Sequence, residues 1–424
     1  MFRFFSRYPA ARLLLILPAI VVAGCGNNTG AVITVPNQVV VGDLRNNGVM
    51  DIAVVEAQID ETGLTQPPGL LGIFLNTLAT PGTFQTAVNY TTSTAPPSGL
   101  AIGDLTGTGS HDLVVANLNR GTLSVFMESS PTSGTYNAPI TVTVGGQPND
   151  VQIADINGDG LPDLIVADNL GKVEYMLQNA SSPGTFGTPV SMTISNPAIV
   201  AEGLATRGVS VAVGDLNGDG LPDLAVTSFD ADGDYGMIFL FFQNPAAPGT
   251  FTAGTPITAL GEPTQIRIAD LNQDGSNDMV IAMQGLGDLS ETIAAEDAPG
   301  ALVILQNKDA PGTFATPVLY AATTGVLSVA VGDLDGDGLP DLAMASLYPE
   351  GEGYVATLLQ DPSAPGTFEA ATLYLGSGQP SSIVIGDMNN DGLPDLVTSD
   401  STTAVWYENL SSAPGTFASE GQIL

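Results

Sequence analysis

Seven times in 424 residues an aspartate opens a short, acidic, glycine-containing loop, at Asp43, Asp104, Asp155, Asp215, Asp270, Asp333 and Asp387. The fullest copies run from Gly214 to Leu224 and from Gly332 to Leu342 and read G-D-L-[ND]-G-D-G-L-P-D-L. Counted from the opening aspartate, oxygen-bearing side chains recur at positions 1, 3, 5 and 9, with glycine at position 6, where the backbone must turn sharply. Carboxylates, a side-chain amide and a backbone carbonyl packed into one tight turn suit a hard cation that takes six to eight oxygens, which is the chemistry of calcium. The expected ligands are Asp155, Asn157, Asp159 and Asp163; Asp215, Asn217, Asp219 and Asp223; Asp270, Asn272, Asp274 and Asp278; Asp333, Asp335, Asp337 and Asp341; and Asp387, Asn389, Asp391 and Asp395. The first copy has Arg45 at position 3, and the second has Thr106 and Thr108 at positions 3 and 5. Those two loops are expected to hold no ion, leaving about five calcium ions for the chain.

The elements that carry these loops are strands. An EF-hand would need a glutamate at position 12 and a helix on each side, but Val166 and Val226 stand at position 12 of the third and fourth copies. Pro162, Pro222, Pro340 and Pro394 occupy the place where an exiting helix would begin. The run after each loop is rich in β-branched residues, as in Leu164-Ile165-Val166-Ala167, so each loop joins two strands. A second marker, Pro-Gly-Thr-Phe, starts at Pro81, Pro183, Pro248, Pro311, Pro365 and Pro414, and becomes Ser133-Gly134-Thr135-Tyr136 in the second copy. Its phenylalanines are expected to be turn anchors buried between repeats. The loops recur about every 57 residues, a period that signals a repeat architecture. The third copy holds four strand candidates, at Val151 to Ala154, Leu164 to Ala167, Lys172 to Leu177 and Thr188 to Ile194. Four antiparallel strands in each of seven repeats predict an all-β chain, a seven-bladed β-propeller with the calcium loops between the first and second strands of each blade.

These repeats resemble the FG-GAP or VCBS family, built like the propeller of integrin α subunits. The resemblance rests on the D-x-[DN]-x-D-G-x-P-D core repeated in register and covers nearly all of residues 38–424. It implies that each calcium loop leads out of the innermost strand of its blade.

The first 24 residues read as a signal. Arg3, Arg7 and Arg12 precede an apolar stretch from Leu13 to Val22, which is short for a bilayer span. Val22-Ala23-Gly24-Cys25 resembles the bacterial lipobox, so cleavage before Cys25 and lipidation of that cysteine are expected. The expected organisation is a signal peptide over 1–24, a lipidated tether over 25–37 and a monomeric propeller over 38–424, exported and anchored in the bacterial cell envelope. Cys25 is the only cysteine, so no intramolecular disulfide is possible, and calcium would supply the cross-linking that secreted proteins otherwise take from cystines. Loss of residues 1–24 would move the net charge from −35 to −38, a surface that excludes nucleic acid as a natural partner.

Specificity is expected in the irregular segments 56–69, 196–207, 229–235, 284–299 and 348–354. In an up-and-down blade these connections emerge on the face opposite the calcium loops, and loops on a rigid scaffold are where binding concentrates. Phe229, Tyr235, Tyr348 and Tyr354 are the candidate contact aromatics there, and Asp230, Asp232 and Asp234 are spaced either as a further metal site or as a solvated acidic turn. The partner expected at this face is a protein or a glycan. His111, the sole histidine, is expected to be a solvent-facing turn residue, and Trp406, the sole tryptophan, to serve blade packing and not as a sugar platform. One histidine and one lipidated cysteine leave no Ser-His-Asp or Cys-His site. The function expected is a calcium-binding scaffold for adhesion or recognition, with no catalytic residues assigned. The alternatives are a lectin, or a polysaccharide lyase or glycoside hydrolase on the same propeller; a glycosidase would need two opposed carboxylates.

Overall fold

The computed structural model describes residues 32–60, 68–195, 206–229, 236–259, 261–285, 300–322, 325–346, 353–376, 378–400, 404–418 and 422–423. Among these residues there is no helix, and the chain folds into seven sheets, each built from consecutive antiparallel strands. Blade 3 is typical, with strands Pro148–Ala154, Asp163–Asp168, Lys172–Met176 and Val190–Thr193. These lie within a few residues of the segments expected from the sequence. Blade 4 departs slightly, because its outer position is divided between Phe251–Ala253 and Ile257–Ala259, both paired with Gly236–Gln243.

The burial pattern explains the composition of each strand. Every residue of the second strand in blade 3 is buried, as in the second strands Asp112–Asn117, Asp278–Met283 and Asp341–Ser346. Both faces of such a strand meet a neighbouring blade, so it reads as a continuous apolar run. Outer strands such as Val190–Thr193 are largely exposed and mix polar with apolar residues. The buried apolar side chains separate into seven clusters, each shared by two adjacent blades. The propeller therefore grows by adding interfaces and needs no single larger core.

Each blade uses only its own consecutive strands, and blade 7 ends with Gln422–Ile423 as its outermost strand. Ring closure is thus a packing contact between blades 7 and 1. Trp406 and Val397 share a cluster with Val39, Ile52 and Phe74. Asn76 Nδ2 donates to the Met388 carbonyl at 2.7 Å, and Ser381 Oγ donates to the Asn37 carbonyl at 3.1 Å.

A belt of hydrogen bonds runs around the innermost strands. Ser98 Oγ donates to the Pro148 carbonyl at 2.8 Å, Asn149 Nδ2 to the Val209 carbonyl at 2.6 Å, and Thr264 Oγ1 to the Val326 carbonyl at 3.1 Å. One residue further along, Asp150 accepts from Ser210 and Val211, and Gln265 Oε1 accepts from Ser328 Oγ and the Val329 N–H, both at 2.8 Å. These side chains satisfy backbone groups that the innermost strand of a sheet leaves without a ladder partner.

Candidate metal loops

Each acidic loop connects the first and second strands of its blade, with the position 9 aspartate as the first residue of the second strand, as in the pairs Ala154↔Asp163 and Gly332↔Asp341. In blade 3 the loop closes around Asp155, whose Oδ1 accepts from the Gly158 N–H at 2.7 Å and whose Oδ2 accepts from the Gly160 N–H at 2.7 Å. Asn157 Oδ1 accepts from the Asp159 N–H, and Asp159 Oδ1 accepts from the Leu161 N–H. Glycine at position 6 has φ between 77° and 89° in all seven copies, the left-handed conformation that favours glycine. Position 4 is also left-handed, and there Asn46, Gln273 and Asn390 adopt φ of 51°, 55° and 61° without being glycine.

Position 9 does more than offer a ligand. Asp163 Oδ2 accepts from the Ile156 N–H inside the loop at 3.1 Å, while Oδ1 accepts from the Gln178 N–H just past the third strand at 2.7 Å. The same bridge recurs at Asp223, Asp278, Asp341 and Asp395. The residue it holds after the third strand is itself a clamp. Gln243 donates to the Pro222 carbonyl at 2.8 Å and accepts from the Gly249 N–H at 3.1 Å. Gln360 does the same with Pro340 and Gly366, and Asn409 with Pro394 and Gly415. The clamp thereby ties the acidic loop to the Pro-Gly-Thr-Phe turn.

That turn interlocks with the neighbouring blade. A methyl group placed on Gly415 would meet Cβ of Asp335 at 2.9 Å, and one on Gly249 or Gly366 would meet Cβ of Asn157 or Asn272 at 3.1 Å. The marker glycine of each blade therefore packs on position 3 of the preceding loop, including across the ring closure, where Gly82 faces Asn389. The aromatic residue of the marker packs across the same interface, as expected. Phe251 meets Tyr175 edge-on at 5.5 Å, Phe368 meets Tyr320 at 5.3 Å and Phe417 meets Tyr374 at 5.6 Å.

The seven loops differ in how the buried position 9 carboxylate is compensated. Burial raises Asp163, Asp223, Asp278 and Asp341 to a pKa of about 6 and Asp395 to about 7; backbone N–H donors offset this in part, and neighbouring loop aspartates add to it. In blade 6, one oxygen each from Asp333, Asp335 and Asp341 lies within 4.8 Å of the others. In blade 1, by contrast, Arg45 makes a fork with the fully buried Asp51, Nη2 to Oδ1 at 2.7 Å and Nε to Oδ2 at 3.2 Å, and Nη2 also donates to the Asn76 carbonyl. In blade 2 the hydroxyls of Thr106, Thr108 and Ser110 hydrogen-bond to one another, and Ser110 reaches Asp104 and Asp112. Although burial acts the other way, four loop N–H groups hold Asp104 below the usual carboxylate range. Among the described residues no ion pair reaches the carboxylates of the five full loops, although Lys308 Nζ donates to the Asp274 carbonyl in blade 5. The converging oxygens of blade 6, and the guanidinium in the loop that lacks position 3, fit a cation at the full loops.

The FG-GAP-like repeat family model matches residues 104–166, 155–226, 215–281 and 289–344, more than half of the chain. The chain belongs to this family. Human integrin alpha-7 is 31% identical over 137 residues, which span 30% of this chain and 10% of that protein. Among solved structures, this FG-GAP propeller superposes on BBS1N, in the crystal structure of its complex with ARL6DN, with a TM-score of 0.50 at 12% identity, over 87% of this chain and 90% of the other. It also superposes on a putative 6-phosphogluconolactonase from Bacteroides uniformis with a TM-score of 0.50 at 14% identity, over 94% and 97%. These two share the fold.

Elsewhere in the FG-GAP propeller, Phe229 ends the second strand of blade 4 and Tyr354 begins the third strand of blade 6, both half-buried. Tyr235, Tyr348, Asp230, Asp232, Asp234 and Cys25 lie outside the described residues, as do the middles of all five irregular segments. Trp406 is buried against blade 1, which agrees with the packing role expected of it. His111 is not the solvent-facing residue expected. It is half-buried, its Nδ1 is out of contact with water, its N–H donates to Glu128 Oε2 at 3.0 Å, and its carbonyl accepts from the Tyr136 hydroxyl at 2.9 Å. Sequence reasoning missed the clamp residues. Their signal is a Gln, Asn or Glu always six residues before the marker glycine, from Asn76 and Gly82 to Asn409 and Gly415.

Proposed function

We propose that this FG-GAP propeller is a calcium-stabilised binding scaffold, held at the bacterial cell envelope by a lipid on Cys25, which presents its irregular connections to a protein or glycan partner. The observation that supports the metal is the contrast at position 9. Among the described residues the five buried carboxylates form no ion pair, whereas Arg45 provides one for Asp51. Positions 1, 3, 5 and 9 of the five full loops would hold the ion. It would supply charge neutralisation to a chain of net charge −35 and would hold the first two strands of each blade together.

The scaffold half rests on the asymmetry between the two ends of the blades. The loop end is made of near-identical turns locked to their neighbours, while the segments that vary in length all join strand 2 to strand 3 or one blade to the next. Variable connections on a locked frame are the arrangement in which recognition is carried by loops. The test is an array of glycans and envelope proteins probed with the propeller and with a variant whose segment 284–299 is cut to a tight turn. Retained calcium binding with lost partner binding supports the scaffold, and product release from a glycan would replace it with an enzyme.

A further inference from the structure

The inner wall of the ring carries a guanidinium that no metal loop explains. Arg267 stands in the first strand of blade 5, where the matching residues of blades 1, 2, 4, 6 and 7 are Val40, Ala101, Ala212, Ala330 and Val384, and that of blade 3 is Gln152. It lines a cavity of about 280 Å3 with Ile268, Ala330, Val331, Ile383 and Ile385, from the first strands of three successive blades. Among the described residues it forms no ion pair. Its one hydrogen bond runs from Nη1 to the carbonyl of Ile266, next to it in the same strand, at 3.1 Å. The charge that acts on it is Asp150, beyond ion-pair distance. That carboxylate is already occupied, by Ser210 Oγ at 2.6 Å and by the N–H groups of Val211 at 3.1 Å and Val151 at 2.8 Å.

A guanidinium presents five donors in a planar fork that matches a carboxylate. Desolvating it against an apolar wall is costly unless an anion completes the fork. The net charge of −35 opposes every anion at long range, so ionic attraction alone does not select a ligand here, and contact with the isoleucine and valine walls has to contribute. The volume lies at the small end of ligand pockets. We infer that the inner wall of the propeller carries a binding site for a short aliphatic carboxylate, with Arg267 taking the carboxylate and Ile268, Val331 and Ile385 taking the alkyl chain. This site is independent of the metal loops and of the irregular face.

Calorimetric titration of the full chain in saturating calcium with isovalerate, isovaleramide and chloride tests it. Isovalerate should bind saturably at one site, and isovaleramide at least about tenfold more weakly, since a charge-assisted fork is lost. Arg267→Gln, which adopts the residue of blade 3, should weaken isovalerate at least about tenfold. Val331→Phe, which fills the cavity and keeps the guanidinium, should do the same, with melting curves identifying which variants are folded. If Arg267→Gln fails to fold, Val331→Phe decides alone. Absence of saturable isovalerate binding at tens of millimolar, undiminished affinity in either folded variant, or equal binding of chloride would each overturn the site.

Discussion

Blade 1 and blade 6 build the same loop with opposite charge logic. In blade 6, Asp333, Asp335 and Asp341 converge, and burial together with Asp335 and Asp337 keeps Asp341 protonated up to a pH of about 6. In blade 1 the residue at position 3 is Arg45, and its guanidinium sits in a fork on the position 9 carboxylate of Asp51. Burial still raises Asp51, but Arg45 acts against it by hydrogen bond and by charge. The backbone turn is common to both, with Gly48 and Gly338 left-handed at position 6. The loop conformation therefore does not itself depend on convergent carboxylates. The difference lies in where the compensating positive charge comes from, the protein's own side chain in one blade and a proposed ion in five others.

The largest way to break that comparison is to remove the ion from all five loops at once. With dissociation constants of about 0.1 to 1 mM, millimolar calcium stabilises each site by roughly 0.4 to 1.4 kcal/mol, and five independent sites by roughly 2 to 7 kcal/mol. Chelation with EGTA should lower the melting temperature by many degrees, and calcium should restore it better than equimolar magnesium, which prefers a smaller octahedron and keeps its waters. A melting curve unmoved by verified metal removal would show that the five carboxylate sets are tolerated without a cation.

Blade 1 permits the converse experiment. Arg45→Asn leaves Asp51 buried without its partner, and losing one member of such a pair costs about 3 kcal/mol. That loss should appear in EGTA as a lower melting temperature. Combined with Asn47→Asp, it recreates the acidic pattern of the full loops, so calcium should recover much of the loss and the measured stoichiometry should rise by about one ion. A double variant that is destabilised yet indifferent to calcium would mean that blade 1 differs from blade 6 in more than the source of its charge.

Single carboxylate removals sharpen the division between the five full loops and the other two. Asp219→Ala or Asp337→Ala should lower calcium stoichiometry by about one and cost roughly 0.4 to 1.4 kcal/mol in millimolar calcium. Thr108→Ala should leave the stoichiometry unchanged, because it only trims the hydroxyl cluster around Asp104. Equal losses from both kinds of variant, read by calorimetry, would erase the distinction.

Much of this is legible in the chain itself, for a local reason. A ligand pattern such as Asp155-x-Asn157-x-Asp159-Gly160 is set within one turn, and its recurrence counts the blades. The strands of blade 3 can be placed because Pro162 and the β-branched run after it leave no room for a helix. The interactions that join blades are not legible in the same way. Gly249 packs on Asn157, which lies in another blade and almost a hundred residues away, so neither sequence neighbourhood announces the contact. Arg45 can be recognised as a lost ligand, but its fork with Asp51 depends on a side chain turning inward across the loop. His111 departs from expectation because its loop reads as exposed, whereas Tyr136 and Glu128 of the same blade fold over it.

The smallest effect lies in the second strand of blade 1, which carries both kinds of carboxylate. Asp51 begins that strand and has Arg45; Glu56, five residues on, is half-buried, and burial alone raises it to a pKa of about 7. A carboxyl raised in the folded state favours folding fully below its unfolded value of 4.5, and that contribution is lost as the pH rises through about 7. Glu56→Gln removes the titration, so wild type and variant should melt closest together near pH 4.5 and draw apart as the pH rises, with the variant higher at pH 8. Because the group is partly solvated, the gain is discounted to about 1 kcal/mol, a few degrees at most. The comparison belongs in saturating calcium, so that the loops do not titrate alongside it. A gap between the two melting curves that stays constant from pH 5 to 8 would show that Glu56 keeps its charge at little cost, and that Asp51 is no better served by Arg45 than Glu56 is by solvent.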